Sequence, residues 1–365
     1  SRPTRSGCGH LLRKPAMIDL FSDTKSKPTP AMRQAIANAE VGDEQKFEDP
    51  TTNRLRERIC ELLGKEDAVF LPSGTMCNEI AIAVHCRPGD EVIAEAGSHI
   101  INYEGGGPAA LAGVMLRGVS AASGSIPGTF DGAAVRTAVR ADSRYFPRTR
   151  LVSVEQTANS AGGRVWPLPM LREVVASAHG QGLATHMDGA RLMNAVVASG
   201  VPARVQATGF DSVWIDFSKG LGCPVGAMLA GSRDFIAEAW RLKQRWGGAM
   251  RQSGMLAAAA LHALDHHVER LAEDHANARL LAVSLAEIPG IHVDPASIET
   301  NIVFFDVAAT GLQAQHIVGE LAAAGVQMGA TSDRLIRAVT HLDISREDVL
   351  KAVDAMRNVV LKVEP

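Results

Sequence analysis

The sequence predicts an α/β protein: a large domain with a mostly parallel sheet sandwiched by helices, then a small C-terminal α+β domain. Three observations predict it. Short apolar runs alternate with longer stretches of helical periodicity. The chain has 34 glycines and many alanines, which suit close packing of helix on sheet. Its 365 residues exceed one ordinary domain, and the pattern of motifs changes after about residue 265. We therefore expect an N-terminal arm over residues 1–16, a large domain over 17–265 and a small domain over 266–365. The arm is basic and has no apolar core, so it does not read as a secretory leader.

The elements follow in order. Asp49-Pro50-Thr51 introduces a helix from Thr52 to Leu63, with Leu55, Ile59, Leu62 and Leu63 at helical spacing. Ala68–Leu71 reads as a strand, 72–75 as a turn and Met76–Cys86 as a helix. Strands are expected at Glu91–Ala94, Leu151–Glu155, Leu183–Met187 and Ser212–Asp216, with a helix at Leu168–His179. One long helix should carry His262, His266, His267 and Glu269. Asn301–Val307 and Leu335–Val339 read as strands, and Gln313–Ala324 and Glu347–Val360 as helices.

Composition excludes several classes. Charged residues make up 21% with a net charge of -3, which argues against disorder and against a phosphate-backbone footprint, so no nucleic acid is expected. Aromatics are only 4%, too few for a base-stacking surface. No apolar run reaches membrane-spanning length. Cys8, Cys60, Cys77, Cys86 and Cys223 show no CxxC and no zinc spacing, so we expect reduced thiols in a cytoplasmic protein and no metal. His262 and His266 have i,i+4 spacing but no acidic partner in register, which favours a surface or interface helix.

Three short segments carry chemistry. Ser73-Gly74-Thr75 stands between a strand and a helix, where orphan N–H groups and a hydroxyl can hold a phosphate. By itself it reads more readily as a capped turn. Asp188, in His186-Met187-Asp188-Gly189-Ala190-Arg191, sits where an apolar strand stops, the usual place for ligand contacts in open α/β sheets. A structural Asp–Arg pair would look the same. Lys219, in Ser218-Lys219-Gly220-Leu221-Gly222, has small neighbours that let a carbonyl approach its amine, although a lone loop lysine is ordinarily a solvated charge. Phosphate cradle, strand-end acid and lysine, in that order, are what a pyridoxal phosphate enzyme needs. Gly105-Gly106-Gly107 reads as a loop of close backbone approach and Trp214 as a core residue.

The chain resembles the threonine aldolases of the β-eliminating lyase group, which are fold type I pyridoxal phosphate enzymes. The likeness runs from about Met17 to His341. It rests on IDLFSDT, PTPAMRQAIANAEVGDE, EDPTTNRLRERICELLGKEDAVFLPSGTMCNE, SHIINYEGGG, HMDGARLMNA, FSKGLGCPVGAMLAG, GGAMRQSGMLAAAALHAL and IRAVTHLD. The resemblance implies cleavage of a β-hydroxy-α-amino acid into glycine and an aldehyde, with pyridoxal 5'-phosphate as cofactor. It implies Lys219 as the lysine that binds the cofactor covalently and Asp188 at its ring nitrogen. Gly74 and Thr75 would hold the phosphate, and His99 would cover the ring and serve as base or as water positioner. Ser22, Arg191 and Arg337 would hold the substrate carboxylate. Arg251 would reach a phosphate across a subunit contact, in a homodimer or homotetramer.

The departures from the family pattern fall on the substrate side. Ala158 stands where the family has a histidine assigned to the substrate hydroxyl. Lys46-Phe47 replaces Tyr-Gly, Ile101 replaces a tyrosine while Tyr103 remains, and Phe21 replaces an arginine. Ala158 with Phe47 and Ile101 suggests a roomier, less polar pocket that takes an aryl substrate such as phenylserine. Loss of that histidine also leaves β-elimination or aldol transfer on the same scaffold as an alternative.

Overall fold

A computed structural model describes residues 17–121 and 125–361. The arm expected over 1–16 lies outside the described residues. The strands in chain order are β1 (Ile18–Asp19), β2 (Asp67–Leu71), β3 (Glu91–Glu95), β4 (Met115–Val119), β5 (Thr149–Glu155) and β6 (Ala184–Asp188). They continue with β7 (Ser212–Asp216), β8 (Ala227–Gly231), β9 (Ile302–Asp306), β10 (Val326–Gln327), β11 (Gly329–Ala330) and β12 (Leu335–Val339). The central sheet has the spatial order β2-β8-β7-β6-β5-β3-β4. From β7 to β4 every pairing is parallel, whereas β8 runs antiparallel to both its neighbours. The mostly parallel sheet expected from the sequence is therefore present.

The sequence reading passes over β4 and β8. β4 is an edge strand with no fully buried residue, so it lacks the apolar run of its neighbours. β8 is Ala-Met-Leu-Ala-Gly, buried throughout, but its alanines and glycine are weak strand formers.

The helices pack on this sheet through the predicted apolar faces. Helix Pro50–Leu63 begins ahead of the expected Thr52 because Asp49 caps it, its Oδ1 accepting from the Thr52 N–H at 2.8 Å. Leu55, Ile59 and Leu63 form its buried face. Helix Gly74–His85 buries Asn78 and Glu79 among Cys77, Ile80, Ala81 and Ile82. The single long helix expected through His262 and Glu269 is in fact two, Gly254–His266 and Leu271–Ala286. The break falls at His267, whose Nδ1 pairs with the Leu221 carbonyl at 2.7 Å, and it redirects the chain toward a second core.

That second core gathers Leu281, Leu285, Phe305, Leu321, Ile336 and Met356. Its sheet, β11-β12-β9, is antiparallel. The chain start joins it: β1 pairs in parallel with β10, and Leu20 is fully buried in the same core. The first strand thus packs with the C-terminal layer and not with the sheet that follows it in sequence.

Four neighbouring parallel strands each end on a carboxylate: Asp216 on β7, Asp188 on β6, Glu155 on β5 and Glu95 on β3. One row of acids therefore marks the carboxyl edge of the sheet, where open α/β sheets bind ligands.

Gly189, just past β6, is fixed by this geometry. A Cβ there would stand 1.8 Å from the Trp214 carbonyl oxygen, which is backbone and has no room to yield. Gly189→Ala is expected to separate the ends of β6 and β7 and to cost about 3 kcal/mol or more, read from the urea midpoint.

Candidate active site

A cavity of about 710 Å³ opens over the carboxyl edge, a size that suits a small organic ligand. Of the predicted residues, Ser22, Gly74, Thr75, His99, Tyr103, Asp188, Arg191, Lys219 and Arg337 all line it. Glu155 and Asp216, two of the strand-end acids, line it as well.

Lys219 follows β7 by three residues. Its Nζ lies 3.1 Å from Asp216 Oδ2. Asp216 Oδ1 accepts from the Ser218 N–H and hydroxyl, which holds the loop around the amine. The Ser26 hydroxyl donates to the Lys219 carbonyl at 2.8 Å and anchors the loop from the other side.

Asp188 lies deep, with its Oδ2 accepting from Asn78 Nδ2 at 2.8 Å and its Oδ1 from the Ala190 N–H at 2.9 Å. Burial and the charge of Glu155 push its carboxyl up to about 7, against the opposing pull of Lys219 and Asn78. Asn78 uses its whole hydrogen-bonding capacity. Nδ2 also donates to Glu104 Oε1 at 2.7 Å, while Oδ1 accepts from Trp214 Nε1 at 2.7 Å and from His186 Nε2 at 3.1 Å. His186 is neutral, since burial pushes its imidazole down to about 3, and its Nδ1 faces the Ser212 hydroxyl at 2.8 Å.

Trp214 is buried in its strand, as expected, and its indole also forms part of the cavity wall. It sets the shape of the next group. A Cβ on Gly74 would meet the indole at 2.2 Å, so only glycine lets the helix start sit this close. Ser73 caps that helix through the Met76 N–H, and Ser73, Gly74 and Thr75 line the cavity beside its orphan N–H groups.

His99 rises from the opposite rim. Its N–H donates to Glu155 Oε2 at 2.6 Å, and its Nδ1 lies 2.9 Å from Glu104 Oε1. Burial opposes its charged form. The Glu104 hydrogen bond and the fields of Asp188, Glu104 and Glu155 outweigh burial and raise the imidazole above its usual value.

At the far end lie two guanidiniums. Arg191 is fully paired with Asp23, its Nε 2.7 Å from Oδ2 and its NH2 2.8 Å from Oδ1. Asp23 Oδ2 also accepts from Asn301 Nδ2 at 3.0 Å. Burial alone would raise the Asp23 carboxyl, but Arg191 holds it well below the usual carboxylate range. Asn159 Oδ1 accepts from Arg337 at 2.8 Å and from Arg191 at 3.3 Å. Burial, with repulsion from Arg191, pushes Arg337 down to about 10, and its Nε is buried without a partner among the described residues.

Five predicted residues stand outside this cavity. Ala158, expected on the substrate side, is only 5% exposed and lies beneath Gly128, where a glycine Cβ would reach its methyl at 2.7 Å. Its backbone bridges to Arg164, and its side chain lines a small neighbouring pocket with Glu155, Asn159 and Ser160, which also line the cavity. Lys46 is exposed, and Phe47 packs edge-on to Trp240 with ring centroids 5.4 Å apart. Arg251 is exposed on the surface and pairs with Asp43 at 2.9 Å. Ile101 faces Gly118 on the edge strand, so Ala158, Phe47 and Ile101 do not form one pocket within a chain.

The sequence reading also missed residues that the site uses: Asp23, Asn78, Glu104, Glu155, Asn159 and Asp216. Asn78 and Glu79 had a usable signal, two polar residues in a helix that is otherwise apolar on every side. Asp216, Asp188 and Glu155 share a second one, an acid closing each apolar strand.

The family described as Beta-eliminating lyase matches residues 19–309. A protein of Arabidopsis thaliana called low-specificity L-threonine aldolase 1 is 40% identical, over 95% of this chain and 97% of its own. The low specificity L-threonine aldolase of Escherichia coli K12 is 42% identical, over 91% of this chain and 96% of its own. The solved threonine aldolase of Leishmania major has the same fold, with a TM-score of 0.79 over 94% of this chain and 99% of that one, at 22% identity.

Asp23→Ala is expected to leave Arg191 buried without its counter-charge, at a cost of about 3–5 kcal/mol by urea unfolding at neutral pH. The sign with pH follows from the depressed carboxyl. The pair's contribution is complete above the unfolded value of 3.8 and is lost as the pH falls below it. The gap between wild type and variant should therefore hold from neutrality to about pH 4 and narrow below.

Proposed function

The chain belongs to the Beta-eliminating lyase family, and from that premise we propose that it splits a β-hydroxy-α-amino acid such as L-threonine into glycine and an aldehyde. The bond cleaved is Cα–Cβ, and the protein is a lyase. One observation carries the reading. An amine, a deep carboxylate, a helix N-terminus, an imidazole and two guanidiniums converge on a single cavity from separate elements.

The donor set fits pyridoxal 5'-phosphate. Lys219 would bind its aldehyde, Asp188 its ring nitrogen, Gly74 and Thr75 its phosphate, and His99 would cover the ring. A carboxyl raised to about 7 by burial and by Glu155 is one that a protonated ring nitrogen would return to its charged form. When bound, the cofactor supplies the electron-poor ring that takes up the electron pair of the broken bond.

The remaining roles fall to the chain's own groups. Arg191 and Arg337, with Ser22 beside them, suit the substrate carboxylate, and the unpartnered Nε of Arg337 supplies a ready donor. Holding the carboxylate there fixes which bond at Cα stands perpendicular to the ring. His99 commits Nδ1 to Glu104, which leaves Nε2 to take the proton of the β-hydroxyl. With Ala158 outside the cavity, His99 is the imidazole at hand for that step.

The wall beyond these groups is apolar and aromatic, with Phe21, Tyr103, Phe304 and Leu335 around the mouth. It supports a broad side-chain range that includes the aryl group of L-phenylserine, on residues other than Ala158, Phe47 and Ile101. Arg251 and Lys46 are exposed beside Val41, Phe47 and Met255, which are 43%, 52% and 45% exposed. That surface suits a homodimer or homotetramer in which Arg251 of one copy approaches the phosphate end of another. Cys60, Cys77, Cys86 and Cys223 are free thiols, in keeping with a cytoplasmic location. Among the described residues no helix is long and apolar enough to cross a membrane.

The purified protein supplied with pyridoxal phosphate is expected to release aldehyde from L-threonine, L-allo-threonine and L-phenylserine. Lys219→Ala should abolish release. His99→Phe should lower kcat by about 10²–10⁴-fold with KM little changed. No release from any of the three by the wild-type protein would sink the reading in favour of elimination or transfer.

A further inference from the structure

We propose that Glu79 and Glu104 share a single proton behind His99, carried by Glu79 at neutral pH, and that this pair is the positioning element of the imidazole. The inference rests on the reading of His99 as the proton acceptor and adds two residues to which that reading gives no role.

The pair is closed off from water. Glu79 is 3% exposed and Glu104 is 8% exposed. Glu104 Oε1 accepts two hydrogen bonds, from Asn78 and from His99. Its Oε2, and both oxygens of Glu79, are buried with no partner among the described residues. Three orphaned carboxyl oxygens in one place are costly, and a proton between the two groups repairs most of the deficit. The Gly107 N–H donates to the Glu104 carbonyl at 2.9 Å and Gly107 lies against Glu79 Oε1, which brings the two side chains to one place.

The location of the proton follows from the partners. Two N–H donors point at Glu104, whereas no donor reaches Glu79 among the described residues. Glu79 is therefore the acid, and its O–H donates to Glu104 Oε2. Burial and the neighbouring Glu104 charge push the Glu79 carboxyl up to about 8. Asp188 on β6 and Glu155 on β5 act on His99, Asp216 is occupied by Lys219, and Lys243 is paired with Glu44. Glu104 is the ionisable neighbour that bears on Glu79.

The backbone is shaped for this contact. A Cβ on Gly107 would lie 1.9 Å from Glu79 Oε1, so glycine there leaves the carboxyl the place it occupies. Gly105 and Gly106, at φ +62° and +78°, bend the chain between Glu104 and Gly107. Tyr103-Glu104-Gly105-Gly106-Gly107 is thus a device for placing one carboxylate on His99 and admitting a second carboxyl behind it.

The arrangement matters for base strength. A single anion on Nδ1 makes Nε2 a better proton acceptor. A second anion there would hold His99 as imidazolium, with no lone pair to offer. Keeping Glu79 neutral spares the ring a further anion beyond Glu104, Asp188 and Glu155.

Infrared difference spectra of the cofactor-loaded protein between about pH 6 and pH 10 test this directly. A carboxylic-acid C=O band should fade with a midpoint near 8, as the pair predicts. It should be missing in Glu79→Gln. In Glu104→Gln its midpoint should fall by about a unit or more, so the test stands even where the first variant does not fold. Nitrogen-15 NMR of His99 gives the second readout. Glu79→Gln, neutral for neutral, should leave the His99 midpoint within about half a unit, and Glu104→Gln should lower it by about a unit or more.

A band absent from the wild type, retained in Glu79→Gln or unmoved in Glu104→Gln would overturn the proposal. So would a His99 midpoint that drops equally in both variants. None of these readouts measures aldehyde. A protein with the band and no aldehyde release would refute the aldolase reading alone, and an active protein without the band would refute this inference alone.

Discussion

One buried ion pair holds one end of the cavity together. Asp23 comes from the chain start, Arg191 from the loop after β6, and Asn301 from the residue before β9, and all three meet at a fully buried carboxylate. The pairing is bidentate, so it fixes the direction of the guanidinium as well as its distance. Asn159 then links Arg191 to Arg337, which stands on β12 of the second core. The two cores meet at a network with a few allowed geometries and not along an apolar seam alone. This explains why the first strand lies with the C-terminal layer. The segment that delivers Ser22 and Asp23 has to cross from one core to the other.

The opposite end works by a different rule. Carboxylates close β7, β6 and β5, and Glu104 adds another, so the cavity floor concentrates negative charge in a poorly solvated space. Each is managed separately. Asp216 has Lys219, Glu155 accepts the N–H groups of His99 and Asn159, and Glu104 has Asn78 and His99. Asp188 is the exception, with two N–H partners but no cation in contact, and it is the one whose carboxyl rises to about 7. Asn78 spaces Asp188 from Glu104 with its two donors, and His186 and Trp214 prevent it from rotating.

The legible part of this site is the part written into short segments. Lys219, Asp188, Gly74 and Thr75 each sit at a junction between a strand and a loop or helix, and junctions are visible as a break in an apolar run. Arg191 and Arg337 came from the family pattern, and their guanidiniums do meet through Asn159. Asp23 stayed unread because its partner is 168 residues away, and no local periodicity encodes that distance. β8 stayed unread because a strand of alanine and glycine depends on tertiary context for its identity. The helix break at His267 depends on the Leu221 carbonyl, which is again a distant partner. Ala158 was misplaced for the reverse reason. Its neighbour Asn159 lines the cavity, whereas Ala158 lines only the small pocket beside it.

The uneven charge has a consequence for stability. A carboxyl raised above its unfolded value weakens the native state as the pH rises toward that raised value, because the unfolded chain gives up its proton first. Asp188, at about 7 against an unfolded value of 3.8, therefore costs the folded protein stability through the weakly acid range. A ligand that brings positive charge to Asp188 removes that cost, and binding to the native state alone adds its own mass-action term. Asp23 acts in the opposite sense, since Arg191 holds it below the unfolded value and it stabilises the fold at every pH above 3.8. The cavity thus has one end whose charges are already paired within the chain, and another whose deepest carboxyl gains most from a positively charged ligand.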